Sequence, residues 1–230
     1  MSFLEPKNNC RICERLNNFL KVQRKNFPEW HNKPVRGIGS IKSKLLIVGL
    51  APGFKGANKT GIAFNGDFSG DIMQRTLEKF NFIKKNESFN HSMNIRITNA
   101  VKCLPPQNKP KYSELKNCQK FLAAEIKSMK KLKIILTLGF LAHKGVIQTL
   151  NKTIRNFKFK HMAIHKIDEN LILVNSYHCS RYNIHTKRLS LDEFEKVFVN
   201  YLERESEFQC DDEDRMKVID LLRDRMKDNS

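Results

Sequence analysis

The chain has 230 residues, the length of one domain with an extension, and no apolar run reaches the roughly 18 residues of a membrane span. Hydrophobic residues make up 40% of it, enough for a buried core, and the opening MSFLEPKNNC lacks the apolar stretch of a secretory signal, so a cytoplasmic protein is expected. Lys and Arg number 42 against 24 Asp and Glu; ten of those acids and six of the bases fall in 203–230, so residues 1–202 carry +22. A body this basic should attract polyanions, nucleic acid first among them; the bland alternative is a Lys- and Asn-rich composition without functional meaning.

The first predicted strand is Leu45–Gly49 (LLIVG), followed by a helix over Asp71–Phe82. Strand Ile95–Val101 and helix Ser113–Met129 come next, then strand Ile134–Gly139 with helix Phe140–Leu150. Strand Leu171–Asn175 precedes a helix over Leu191–Tyr201, for which Ser190 and Glu193 supply a capping box. Strand and helix alternate, and the strands are continuous apolar runs. That pattern predicts an α/β single domain with a central four-stranded parallel sheet flanked by helices. In Asp211–Lys227, Met216, Ile219, Leu222 and Met226 recur at helical spacing. The expected organisation is therefore a domain over 8–203 and an acidic, helical C-terminal extension over 204–230.

In such a sheet the site lies beyond the carboxyl ends of the strands. The first strand runs into a loop of small residues, Gly49-Leu50-Ala51-Pro52-Gly53, and on to Phe64 and Asp67. The loop matches neither GxxxxGK[ST] nor GxGxxG, which disfavours nucleotide-cofactor binding. Phe64 is placed to stack on a base and Asp67 to handle water; the competing readings are a core Phe64 and an Asp67 that caps the next helix. The second strand carries Asn99, whose amide offers the donor and acceptor of a pyrimidine's edge or else serves as a structural link. The fourth leads to His178, Cys179, Ser180, Arg181, Tyr182 and Asn183. A lone histidine is more often surface or core, but here three segments converge on one sheet edge. Cys10 and Cys13 form a CxxC, with Cys103 and Cys118 far downstream and Cys179 and Cys210 apart. Structural disulfides are not expected in a cytosolic chain.

Together GLAPG (Gly49–Gly53), GANKTGIAFNGD (Gly56–Asp67), TNAVKCLPPQNKP (Thr98–Pro110), HCSRYN (His178–Asn183) and KRLS (Lys187–Ser190) resemble the uracil-DNA glycosylase superfamily, most closely its family 5, the type-b iron–sulfur enzymes. The resemblance covers about residues 8–203. It implies a [4Fe–4S] cluster on Cys10, Cys13, Cys103 and Cys118, which on spacing alone is no better supported than Cys₄ zinc. It also implies a monomeric DNA glycosylase acting on double-stranded DNA that contains uracil or other deaminated bases such as hypoxanthine. Asp67 and His178 would be catalytic; Gly49, Ala51, Pro52, Gly53, Phe64, Asn99, Ser180, Arg181, Tyr182 and Asn183 would bind substrate. The chain departs from family 4 at Leu50, where those relatives carry an acid, so the water activator is sought at Asp67 with Asp71 as rival. The segment Arg181–Arg188 is expected to project as a loop with Tyr182, ahead of Ile184, as wedge. The alternative to an enzyme is a non-catalytic iron–sulfur nucleic-acid-binding protein of the same fold.

Overall fold

A computed structural model describes residues 3–85 and 95–207. The apolar runs become strands because they are buried on both faces. Strands β2 (Leu45–Gly49), β3 (Ile95–Asn99) and β4 (Ile134–Leu138) are buried throughout, and β6 (Ile172–Ser176) nearly so. These four are parallel, in the order β3-β2-β4-β6. Two short strands that the sequence did not signal extend the sheet to six: β1 (Ile38–Gly39) and β5 (Ile164–Lys166), each antiparallel at an edge. They carry too few residues for a periodicity to register.

Side chains alternate across the sheet and so divide the core in two. Leu45 and Ile47 meet helices α3 (Phe68–Lys79) and α7 (Leu191–Glu207) through Met73, Leu77, Phe194 and Phe198. Leu46 and Val48 meet α1 (Glu14–Asn26), α4 (Tyr112–Ser128) and α5 (Phe140–Thr149) through Leu16, Leu20, Phe121 and Val146. The layered α/β architecture is thus as expected, with α1 added where the sequence reads as a basic tract. Ser190 and Glu193 form the reciprocal cap of α7, at 3.1 and 2.7 Å. That helix continues through 203 to Glu207, past the expected domain boundary. The predicted helix over Asp211–Lys227, and Cys210, lie outside the described residues.

Beneath β3, Glu125 of α4 is the acceptor for three side chains. Arg96 Nε donates to Oε1 at 2.6 Å, and Lys102 Nζ and Thr98 Oγ1 donate to Oε2 at 2.8 and 2.9 Å. Arg96 also donates to the Gly39 carbonyl at 2.7 Å, fixing edge strand β1. Burial disfavours the Glu125 carboxylate, but Lys102 and then Arg96 outweigh it and hold the carboxyl below the usual range. Its contribution to stability is therefore present above the ordinary carboxylate pKa and is lost as pH falls through the lower folded value. Glu125→Ala, which strands two buried cations, should lower the unfolding free energy by about 3–5 kcal/mol in urea titrations at neutral pH.

Candidate active site

The carboxyl ends of β2, β3 and β6 open onto one cavity of about 330 Å³. The pairing of β2 with β3 sets Gly49 opposite Asn99. A Cβ at position 49 would lie 2.6 Å from both Asn99 Oδ1 and Phe64 Cζ, so glycine is what lets the amide and the ring close over the strand end. Phe64 reaches this place with φ at 54°, a left-handed conformation that is uncommon for a bulky residue. Its ring lines the cavity and lies 5.9 Å from that of His178, inclined by 28°. Asn99 is 3% exposed, lines the same cavity and has no side-chain hydrogen bond among the described residues. The expected alternative role as a structural link therefore has no partner to support it there.

Asp67 caps the next helix and also faces the cavity. As N-cap of α3 it accepts from the Gly70 N–H through Oδ1 at 3.0 Å, and its carboxylate lines the cavity. Oδ2 is pressed against the preceding loop, where a Cβ at Gly56 would come within 2.2 Å of it. Asp71 is exposed on α3 and does not line the cavity. Burial lowers the His178 pKa, while the nearby Asp67 carboxylate raises it, and burial prevails. The imidazole is thus neutral at neutral pH and can donate from one nitrogen. Cys179 beside it is fully buried, its thiol pushed up to about 12 by burial, and it fills the core.

Ala51, Gly53 and Ser180 also line the cavity, whereas Gly49 stands behind Phe64 and Asn99, and Pro52 is buried. The segment after His178 differs from the expected loop: Arg181–His185 forms helix α6. Ser180 supplies the cap that allows it, accepting from the Asn183 N–H at 3.3 Å. Asn183 in turn donates to the His178 carbonyl at 2.8 Å, holding the histidine rather than facing the cavity. Arg181 lies over the Phe68 ring, and Tyr182 is 72% exposed on the helix surface. Four further lining residues have no site role assigned from the sequence: Leu50, Ala57, Ser69 and Asn108. Asn108 had a signal, a polar residue just after Pro105-Pro106, where left-handed Gln107 and Asn108 turn the chain.

On the opposite face of the sheet, Cys10, Cys13, Cys103 and Cys118 line a second, small cavity. Arg15 grips both carboxylate oxygens of Glu114 at 2.8 Å, tying α1, which starts after Cys13, to α4, which carries Cys118. Burial raises the Cys103, Cys118 and Cys13 thiols, and their mutual repulsion adds to it; Cys118 reaches about 11 although the Lys102 N–H opposes the rise. Asn117 Nδ2 donates to Cys13 Sγ at 3.4 Å. Converging thiols served by N–H donors suit a cationic centre that would hold them as thiolates.

The electrostatics of the first cavity can be checked by NMR. His178 should titrate below the ordinary 6.5, and Asp67→Asn should lower it further by removing the carboxylate that raises it. Since the unfolded chain takes up this proton near 6.5 and the folded one at lower pH, His178 should also lower stability as pH falls below 6.5.

Comparison with known proteins covers the same domain. The family model for the Uracil DNA glycosylase superfamily matches residues 36–203. A Type-5 uracil-DNA glycosylase of Thermus thermophilus is 31% identical over 208 residues, spanning 86% of this chain and 94% of the relative. One from Mycobacterium leprae is 34% identical over 82% of this chain and 88% of its own. A Type-4 uracil-DNA glycosylase of Sulfurisphaera tokodaii is more distant, 26% identical over 74% and 75%. With its three strand ends converging on one cavity and its similarity running through nearly the whole described domain, the chain belongs to the uracil-DNA glycosylase superfamily and falls with its type-5 members.

Proposed function

We propose that the chain is a monomeric, monofunctional glycosylase that hydrolyses the N-glycosidic bond of uracil in double-stranded DNA, the opening step of base-excision repair. The observation that carries this reading is that Phe64, Asp67, Asn99 and His178, brought from three strand ends, line one base-sized cavity. A base inside a duplex cannot reach them, so the nucleotide is extruded first. Phe64 stacks on the extruded base, and the unpartnered Asn99 amide pairs with its polar edge. As the bond breaks, negative charge grows on the base and positive charge on the sugar. Neutral His178 donates a hydrogen bond to the departing uracil oxygen, and Asp67 orients and deprotonates the water that adds to the sugar carbon. Among the described residues no lysine lines the cavity, which supports simple hydrolysis over a covalent route. Arg181 meets the backbone and exposed Tyr182 enters the vacated stack. The cavity leaves room for a purine, and hypoxanthine is the second substrate proposed. The presence of both Asp67 and His178 in one cavity favours turnover over DNA binding alone.

The four cysteines are assigned to a [4Fe–4S] cluster. What supports this reading is that all four thiols line one small cavity, and all-thiolate ligation is what such clusters take. When bound, the cluster supplies a cross-link between the N-terminal segment and the β3–α4 connection, and base hydrolysis needs no electron from it.

Under single-turnover conditions on a duplex with one uracil, Asp67→Asn should slow base release about 10²- to 10⁴-fold. Asparagine also caps helices, so the fold and DNA affinity should hold. A loss below tenfold would remove Asp67 from the proposed role. Protein purified without oxygen should contain about four irons per chain, and Cys103→Ser should cost iron and folded yield together. Zinc in place of iron would overturn the assignment.

A further inference from the structure

The base cavity has a neighbour. On the other side of Asn108, which belongs to the walls of both, lies a more open groove of about 340 Å³. Phe19 and Gln23 of α1, Phe54 from the connection after β2, Leu104, Pro105 and Gln107 form the rest of its lining. Phe54 is braced from behind by Phe27 and Trp30, at 5.4 and 5.0 Å between ring centroids, and those two stack on each other at 4.4 Å. Cations accompany this surface: exposed Lys55 and Lys109 follow the lining residues Phe54 and Asn108 in sequence, and Lys59 lies 5.6 Å over the Trp30 ring. None of these aromatic rings takes part in the chemistry proposed above.

We infer that the groove holds the nucleobase adjacent to the uracil on the same strand, unstacked from the duplex and laid against Phe54. The inference rests on the glycosylase reading of the first cavity. Continuity points to the occupant: the groove shares Asn108 with the base cavity, and a base covalently tied to the uracil is the group that must lie next to the occupied pocket. A rigid aromatic face with flanking cations is the arrangement that accepts a base of any sequence, through stacking and phosphate contact.

The test is a cycle between protein and DNA. Duplexes carry a 2′-fluoro-uracil nucleotide, which resists hydrolysis, and an abasic residue replaces the neighbouring base on the 5′ or the 3′ side. With the unaltered protein, fluorescence anisotropy should show a loss of affinity on one side of about 5- to 150-fold, the range for one base–aromatic stack. Phe54→Ala should lose a similar factor on the full duplex and little more on that abasic one. Should the alanine variant not fold, Phe54→Leu keeps most of the volume without the flat face and should give the same non-additivity. Additive losses on both sides, or no loss on either, would overturn the groove's role. Release of uracil from ordinary duplexes is recorded alongside. Its absence with the coupling intact would sink the glycosylase reading and spare the groove, and its presence without coupling would do the reverse.

Discussion

The pairing of β2 with β3 fixes where the two chains end relative to each other, and in this register Gly49 stands opposite Asn99. Slipping by one residue would turn Asn99 to the other face of the sheet, since side chains alternate strictly along a strand. The absence of a side chain at 49 then matters as much as the presence of one at 99, because Phe64 occupies the space a Cβ would need. Everything else at the cavity is arranged around that contact. The loop from Gly53 to Asp67 folds back so that the Asp67 carboxylate rests on glycine backbone while its other oxygen starts α3. His178 comes from two strands away and closes the opposite wall.

Strand β3 serves both faces of the sheet. Asn99 lines the base cavity, while Thr98 and, just beyond the strand, Lys102 bind Glu125 on the α4 side. Lys102 is engaged at both ends: its ammonium is held by Glu125, and its backbone N–H faces the Cys118 sulfur. The cysteine cavity is thereby joined to the strand that presents Asn99, through a few residues and without any cysteine entering the base cavity. Long-lived order at the carboxyl edge rests on this polar anchoring as well as on the apolar layers.

The sequence was most legible where burial was symmetrical. The four central strands read as apolar runs because both of their faces are covered, and β2 was recovered to the residue. The edge strands were illegible because two and three half-buried residues leave no pattern. Helix α6 was misread as loop because its five residues include no buried side chain, so the Ser180 cap and not an apolar face defines it. At the cavity, the motif residues Phe64, Asp67, Asn99 and His178 were found because polar or aromatic groups at strand ends invite explanation. Leu50, Ala57 and Ser69 were passed over because a wall built from small or apolar side chains looks like any other core. Asn183 holds the His178 carbonyl, a task the sequence did not signal, since sequence cannot tell a side chain that meets a ligand from one that holds a neighbour's carbonyl.

Phe64 holds a left-handed backbone with a bulky side chain, a conformation that costs on the order of 1–3 kcal/mol. The surrounding loop sustains it: the Thr60 hydroxyl sits among the carbonyls of Gly56, Ile62 and Asn65, and Gly61 and Gly66 take the two other left-handed turns. The ring is therefore already in place before any base arrives, and the work of placing it was done when the chain folded. The loop's tolerance to mutation is correspondingly narrow. A change at Thr60 touches no base, yet it would release the ring to relax toward ordinary backbone angles, and an incoming nucleotide would then have to restore the strain itself. Such a lesion would look like weakened recognition in a protein whose recognition groups are all intact.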